Sequence, residues 1–505
     1  MKIIKNLCIT ATMGIFAINA NSAFGISEIE FRDLKTNSAG LIAELEAKNF
    51  SPEIMGCIAG QLCGCSETDE DDVNATFHLL CLNCDPIKLK EDLTRDERIS
   101  LSGNLKANFD ACHEKLEKLC EPSNRLNRLD LSSKKIGSAE KAITTVTTLI
   151  SQNTYINVVN LAHNDIDDTG ASAIAGALTN STMLDSLNLA SNEIDDTGVI
   201  ALANALTNKS VLRVLNLESN KIGDAGASAI AGALTNNTML QFLNLGYNQI
   251  SSTGVVAIAG ALKNKDGLRA IDLGHNYHLG NTGVIDLAKA LKNKGELSFL
   301  SLASNCIRDA GASALAEFLK SNNKLRFLFL AGNRIGDAGA LALADALEGH
   351  GFLTCLNLNC NYIHTSGATA FAKALGVNES LVSLNLAQNF IDGSGATAFV
   401  EVLKVNKALV YLNLCDNEID AAGEIDLAQA LKYNTKLIYL GLGKRNRIDS
   451  AVERALADVL VEKKDKNDET KTIIENITIA RPFDKNYDAF WDIISQQGEL
   501  DAEFL

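Results

Sequence analysis

The side chains able to do chemistry are few and scattered. Seven histidines occur, His78, His113, His163, His275, His278, His350 and His364, and only His275 and His278 stand close together. No Cys or carboxylate cluster accompanies that pair, so it lacks the ligand set of a tetrahedral metal site. The chain contains no H-E-x-x-H, no G-x-S-x-G, no G-x4-G-K-[ST] and no dinucleotide fingerprint. Without a nucleophile, base and oxyanion donor in a known spacing, the sequence predicts no enzyme, no cofactor and no resident metal.

Cysteine is the other reactive type. Of twelve, seven crowd into one segment: Cys57, Cys63, Cys65, Cys81, Cys84, Cys112 and Cys120. Zinc could draw on Cys81-x2-Cys84 with Cys112 and His113, or on Cys63-x-Cys65. Adjacent ligands and a one-residue gap fit tetrahedral zinc poorly, and the density reads as a disulfide framework. Seven is odd, so one thiol stays free or pairs outside the segment. Cys306, Cys355, Cys360 and Cys415 lie farther on. Cys355 and Cys415 would sit two strands apart, roughly 10 Å at about 4.8 Å per strand, beyond disulfide reach. Four free thiols are expected there.

The rest of the chain is a repeat. From residue 126 one phrase recurs, L-x-x-L-x-L-x-x-N-x-I-x-D-x-G-A-x-A-(I/L)-A-x-A-L-x-x-N. Its middle strand residue falls at Leu129, Val159, Leu187, Leu215, Leu243, Ile271, Leu300, Leu328, Leu356, Leu384, Leu412 and Leu440, at intervals of 28 residues with one of 29 and a first of 30. A degenerate thirteenth strand follows at Ile474-x-x-Ile477-x-Ile479. Leucines alternating with polar residues predict a short strand with one buried face. The chain must then turn inside the structure, leaving backbone groups that no strand satisfies. The asparagine at the ninth position carries both a donor and an acceptor. Stacked, Asn164, Asn192, Asn220, Asn248, Asn276, Asn305, Asn333, Asn361, Asn389, Asn417 and Asn446 can form a ladder that satisfies that turn. A helix follows, with Asp168 placed as its N-cap and Ala171, Ile174, Ala175 and Leu178 at helical spacing. A lone unit buries too little to offset its ordering cost. Stability must come from faces shared between neighbours.

This 28-residue unit resembles the ribonuclease-inhibitor-type leucine-rich repeat, which also occurs in nucleotide-binding immune receptors and Ran GTPase-activating proteins. The resemblance covers residues 126 to about 480. It implies an α/β solenoid: a horseshoe with a parallel β-sheet on the concave face, α-helices on the convex face, and caps at both ends. It also implies a protein-binding scaffold or, as the alternative, a regulator of a small GTPase.

The flanks read differently. Lys2 and Lys5 precede an apolar stretch from Leu7 to Ala20 and small residues at Ser22, Ala23 and Gly25, the pattern of a cleavable export signal. The stretch is shorter than the ~20 residues of a membrane span. The expected organisation is a signal at 1–25, a cysteine-rich cap or module at 26–122, about twelve repeats at 123–461, and a degenerate repeat with a capping helix at 462–505. A secreted or periplasmic location follows, with no membrane insertion once the signal is removed. The net charge of −16 argues against nucleic acid as a partner. The remaining partner class is an unidentified protein ligand. On the concave face, Phe242, Phe299, Phe327, Phe329, Tyr411 and Tyr439 break the polar strand columns. Aromatics on a solvated face suit a protein-docking strip.

Overall fold

The computed structural model describes residues 128–442 apart from 133–135, 139, 154, 208, 293, 435 and 438. The expected signal, the cysteine-rich segment with its seven cysteines, Asn446 and the segment 462–505 lie outside the described residues. The described chain falls into two compact units, one ending at Ile307 and one beginning at Arg308.

Each unit alternates three-residue strands with helices. The first holds β1 (Arg128–Asp130), β2 (Val158–Asn160), β3 (Ser186–Asn188), β4 (Val214–Asn216), β5 (Phe242–Asn244), β6 (Ala270–Asp272) and β7 (Phe299–Ser301). Between them run α1 (Glu140–Gln152), α2 (Asp168–Leu178), α3 (Asp196–Leu206), α4 (Asp224–Leu234), α5 (Ser252–Leu262) and α6 (Gly280–Leu291). The second holds β8 (Phe327–Phe329), β9 (Cys355–Asn357), β10 (Ser383–Asn385), β11 (Tyr411–Asn413) and β12 (Tyr439–Gly441). Its helices are α7 (Asp309–Ser321), α8 (Asp337–Glu348), α9 (Thr365–Leu375), α10 (Gly393–Val405) and α11 (Ala421–Ala430). Within each unit consecutive strands pair in parallel and in register, Leu187 beside Val159 and Leu215, Leu384 beside Leu356 and Leu412. This is a leucine-rich-repeat solenoid of α/β class.

The repeat spelling has a physical reason at each letter. The middle residue of every strand is buried, because it alone turns toward the helices. The helices bury a face of small residues, in α4 Gly226, Ala227, Ile230, Ala231, Ala233 and Leu234, so neighbouring helices can lie close. Beyond each of β2 to β11 the chain passes through a left-handed residue, such as Tyr247 with φ +54°. Such a conformation costs roughly 1–2 kcal/mol for a residue with a Cβ. The next asparagine compensates. Asn248 Nδ2 donates to Leu217 O of the preceding repeat at 3.0 Å, and to Leu245 O and Gly246 O of its own at 3.1 and 2.9 Å. Its Oδ1 accepts from Ile222 N of the preceding repeat at 3.0 Å. Asn164, Asn192, Asn220, Asn276, Asn361, Asn389 and Asn417 likewise donate across to the preceding repeat and accept from it. Asn305 donates to Leu273 O, and Asn333 to the strand end of its own repeat.

The helix cap differs from expectation by one residue. Asp167, not Asp168, is the N-cap of α2 and accepts from Gly170 N. Asp168 opens the helix, and its carboxylate reaches the next repeat, accepting from Asp195 N at 2.8 Å and Gly198 N at 3.0 Å. The same bridge recurs from Asp196 to Gly223 N and Gly226 N, and from Asp337 to His364 N and Gly367 N. The N-caps Gly223 and His364 make no side-chain cap bond of their own, so the preceding repeat supplies it. This close approach is why glycine follows in D-x-G-A: a Cβ on Gly226 would lie 2.6 Å from Asp196 Oδ1.

Two outcomes check these bridges. Asn248→Ala orphans a buried N–H and at least one buried carbonyl. At about 1–3 kcal/mol for each such group, a loss of roughly 2 kcal/mol or more is expected in urea denaturation. Asp196→Ala removes the only side-chain cap of α4 and should cost about 1 kcal/mol. A change within error in both variants would mean that the bridges are incidental.

Candidate interaction surface

On the outer face of the sheet, the asparagine that ends most strands folds its side chain back onto the chain. Asn188 Oδ1 accepts from Ala190 N at 3.0 Å, Asn244 from Gly246 N at 2.9 Å, Asn385 from Ala387 N at 3.0 Å and Asn413 from Cys415 N at 3.0 Å. These asparagines cap strand ends. The column two residues later is small because the carboxamides lie against it: a Cβ on Gly246 would sit 3.2 Å from Asn244 Oδ1.

The six aromatic residues singled out by sequence occupy this face, but they are not exposed. Phe242, Phe299, Phe327, Phe329, Tyr411 and Tyr439 retain between 0% and 4% of their accessible surface. Tyr411 and Tyr439 stack at 4.5 Å with an interplanar angle of 5°, and the Arg326 guanidinium lies 5.8 Å from the Phe327 ring centre. The thiol expectation also changes. Cys355 is disulfide-bonded, so Cys306, Cys355, Cys360 and Cys415 are not all free thiols.

Exposed recognition chemistry lies elsewhere, on the edge where strands run into helices. In the second unit Arg308, Asp309, Arg334, Gly336, Asp337, Tyr362 and His364 line an open cleft of about 520 Å³. Tyr362 is 50% exposed, and Phe390 stacks on both Tyr362 (5.8 Å) and His364 (5.3 Å). Asp309 and Asp337 spend their carboxylates on helix N-termini, Asp309 accepting from Gly336 N and Gly339 N. The arginines therefore set the character of the cleft. Sequence reasoning missed these residues. The signal was present: Arg334, Tyr362 and Phe390 each directly follow a ladder asparagine, a column whose residue type changes from repeat to repeat. In the first unit the same column holds the Lys221–Glu193 ion pair at 3.3 Å.

The opposite edge is structural. Lys209, Lys265 and Lys294 are buried, and their ammonium groups bind backbone carbonyls where the preceding helix ends. Lys209 reaches Thr179 O at 2.8 Å and also Ser181 O, and Lys265 reaches Thr235 O at 3.1 Å. Asn406 does the same work with Leu375 O at 2.7 Å. Helix C-termini leave carbonyls without partners and favour positive charge, so both residue types fit. Among the described residues no group of three His, Cys, Asp or Glu side chains could hold a metal ion, and no helix is long and apolar enough to cross a membrane.

Two buried groups, Asp272 and His275, have titrations shifted by burial in opposite directions. Burial pushes the Asp272 carboxyl up to about 6, against the pull of the Gly274 N–H and the Ser301 hydroxyl. Burial also draws His275, stacked at 4.0 Å on Tyr247, down to about 4. A raised carboxyl is a native-state liability above its folded pKa, relieved as pH falls toward the unfolded 3.8. The depressed histidine has the opposite slope. Its contribution is present above 6.5 and is lost as pH falls toward 4. Asp272→Asn restores the residue type usual in this column and keeps the acceptor for Gly274 N. It should raise the melting temperature at pH 7.5, by an amount corresponding to at most about 3 kcal/mol. At pH 4 the gain should vanish. Melting curves across that range would contradict the assignment if the gain were the same at both ends.

Comparison with known proteins agrees with this geometry at the level of the repeat. The family model described as Leucine Rich repeat matches residues 152–175, 180–203, 208–231, 236–259, 297–316, 321–344, 352–372 and 377–400. The unmatched stretch between 260 and 296 holds the one-residue insertion near His275. No curated protein matches the chain. Among solved structures, an internalin from Listeria monocytogenes is 21% identical over 68% of this chain and 86% of its own, with a TM-score of 0.44. Leiomodin-1 actin-binding site 2 is 26% identical over 26% of this chain and 75% of its own, with a TM-score of 0.23. The TLR13–ssRNA13 complex is 20% identical over 66% of this chain and 38% of its own, with a TM-score of 0.34. The family model thus identifies eight leucine-rich repeats between residues 152 and 400 of this chain.

Proposed function

We propose that the chain is a protein-binding scaffold that acts by binding rather than catalysis, and that Arg308, Arg334, Tyr362, His364 and Phe390 form its recognition patch. The observation that carries this reading is the cleft itself. Two guanidiniums and an aromatic stack stand exposed on a rigid ladder, in a chain whose net charge is −16. Arginine and tyrosine are the residue types that dominate protein–protein hot spots. A partner of matching chemistry presents carboxylates flanked by an apolar or aromatic side chain. The repeats are read as ribonuclease-inhibitor type because of the 28-residue period. Export to a secreted or periplasmic location is inferred from Lys2, Lys5 and the apolar stretch that follows them. The six sheet-face aromatics belong to this function only in a state that uncovers them.

A photo-crosslinking residue placed at Tyr362 should capture a discrete partner, whereas one at the exposed helix-edge position Val377 should not. Arg334→Glu combined with Tyr362→Ala should weaken that complex at least about tenfold, roughly 1.4 kcal/mol, with an unchanged melting temperature. Equal capture at both positions, or unaltered affinity in the double variant, would reject the patch.

A further inference from the structure

A strip of exposed apolar side chains lies on the first unit, where each helix turns back toward the next strand. One residue there precedes the aliphatic residue that leads into each strand. In four successive repeats it is Tyr155, Met183, Val211 and Met239, standing before Ile156, Leu184, Leu212 and Leu240. The second four are buried, whereas the first four keep between 39% and 55% of their accessible surface. Isolated exposed apolar side chains are ordinary, but one column filled in four repeats running is a continuous strip. It stops at Gly267 and Glu296, which hold the same place in the next two repeats.

Among the described residues, those exposed around the strip are uncharged. On the turns they are Asn180, Thr182, Ser210, Asn236 and Thr238. Lys209 is buried with its ammonium on backbone carbonyls, and the Arg213 guanidinium is paired with Asp185. The outward side of the helices continues the pattern, exposing Ser172 and Gly176 on α2, Ile200 and Asn204 on α3, and Ser228 and Gly232 on α4. The second unit differs at equivalent positions. Where α2, α3 and α4 have Gly176, Asn204 and Gly232, the helices α7, α8 and α9 expose Glu317, Asp345 and Lys373.

This distribution selects the occupant. A chain of net charge −16 repels a copy of itself wherever charged faces meet. An isologous contact sets one patch against itself, and here self-contact brings no like charges together. Interface cores are depleted of charge and enriched in tyrosine and methionine. An evenly spaced row of four also matches itself when reversed by a two-fold axis. The size is adequate. Helices of 11 residues are about 16 Å long, and three side by side are roughly 27 Å across. With the turns at their ends, they approach the roughly 800 Å² per partner of a standard interface.

We propose that two copies of this chain associate through Tyr155, Met183, Val211 and Met239, with the two-fold axis between Met183 and Val211. Met183 then packs on Val211 of the second copy, and Tyr155 on its Met239. The flexible thioethers fill the gaps between the two rows.

Sedimentation velocity on the intact chain tests this association. A dimer is expected, and Met183→Glu combined with Met239→Glu should raise its dissociation constant at least about tenfold. Lys324→Glu, in the same column of the second unit, lowers the net charge equally and should leave the dimer intact. Gly232→Gln checks the effect without charge. A Cβ there meets nothing in this chain, and glutamine favours helix over glycine, so the fold is kept while the side chain obstructs the second copy. A photo-crosslinking residue at Met183, in mixed isotopically labelled and unlabelled chains, should link to a peptide containing Val211 of the other copy. A monomer at every concentration, a dimer untouched by both interface variants, or a crosslink to this chain's own flanks or to a foreign protein would overturn the proposal. The Tyr362 crosslink reports on a different surface, so the recognition patch and the self-association stand or fall separately.

Discussion

The structure depends on one side-chain amide that satisfies backbone groups in two repeats at once. Each of β2 to β11 ends in a left-handed residue, and the carbonyls and N–H groups around that turn are buried with no strand partner. An asparagine has one donor group and one acceptor on a single short stem. It can hold its own strand end and also bind a carbonyl and an N–H of the repeat before it, as Asn220 does with Leu189 O and Ile194 N at 3.0 Å each. Aspartate would lack the donors and alanine both functions. The turn is affordable only because a neighbour exists, so folding of a single repeat is excluded on hydrogen-bond grounds alone, before any apolar area is counted.

The same logic recurs on the helices. Asp196 and Asp337 bind N-terminal N–H groups of the following helix, and Lys209 and Asn406 bind C-terminal carbonyls of the preceding one. Helix ends that lack a cap of their own, such as the N-terminus of α4, are thus satisfied from next door. The repeats are therefore coupled by polar groups as well as by the leucine core, and this coupling fixes where variation is tolerated. Ladder asparagines, capping aspartates and the glycine after them are held by geometry. The residue that follows each ladder asparagine is not fixed by the ladder, and its type changes from repeat to repeat, Glu193, Lys221 and Gln249 in one stretch and Arg334, Tyr362 and Phe390 in another.

Period, strand residues, ladder and solenoid class were legible because they follow from a side chain's type and its spacing. What was not legible required knowing which neighbour a side chain meets. Asp168 looks like the cap of its own helix, since Asp-x-x-Gly fits that role, but only the position of the next repeat shows that its carboxylate crosses over. Lys265 looks like a solvated turn residue, yet it is buried because helix-end carbonyls of the preceding repeat draw its ammonium inward. Phe327 and Phe329 flank Leu328 on one strand, but strand alternation says which side a ring takes and nothing about how deeply it is buried.

A buried row of sheet-face aromatics alters what recognition by such a scaffold requires. A sheet of small and aromatic residues left open offers a wide apolar surface to any partner, including another copy. Burial of Phe327, Phe329 and Tyr411 removes that hazard, and the strand-to-helix edge is an accessible surface of the second unit. The edge suits selectivity better than the sheet, because each repeat contributes one unconstrained side chain to it at the same height above a rigid backbone. Arg334, Tyr362 and Phe390 occupy three successive repeats in this way, so their spacing is set by the strand spacing of about 4.8 Å rather than by loop conformation. A partner binding there meets groups that need no reordering, and its affinity follows from their chemistry instead of from the cost of fixing them.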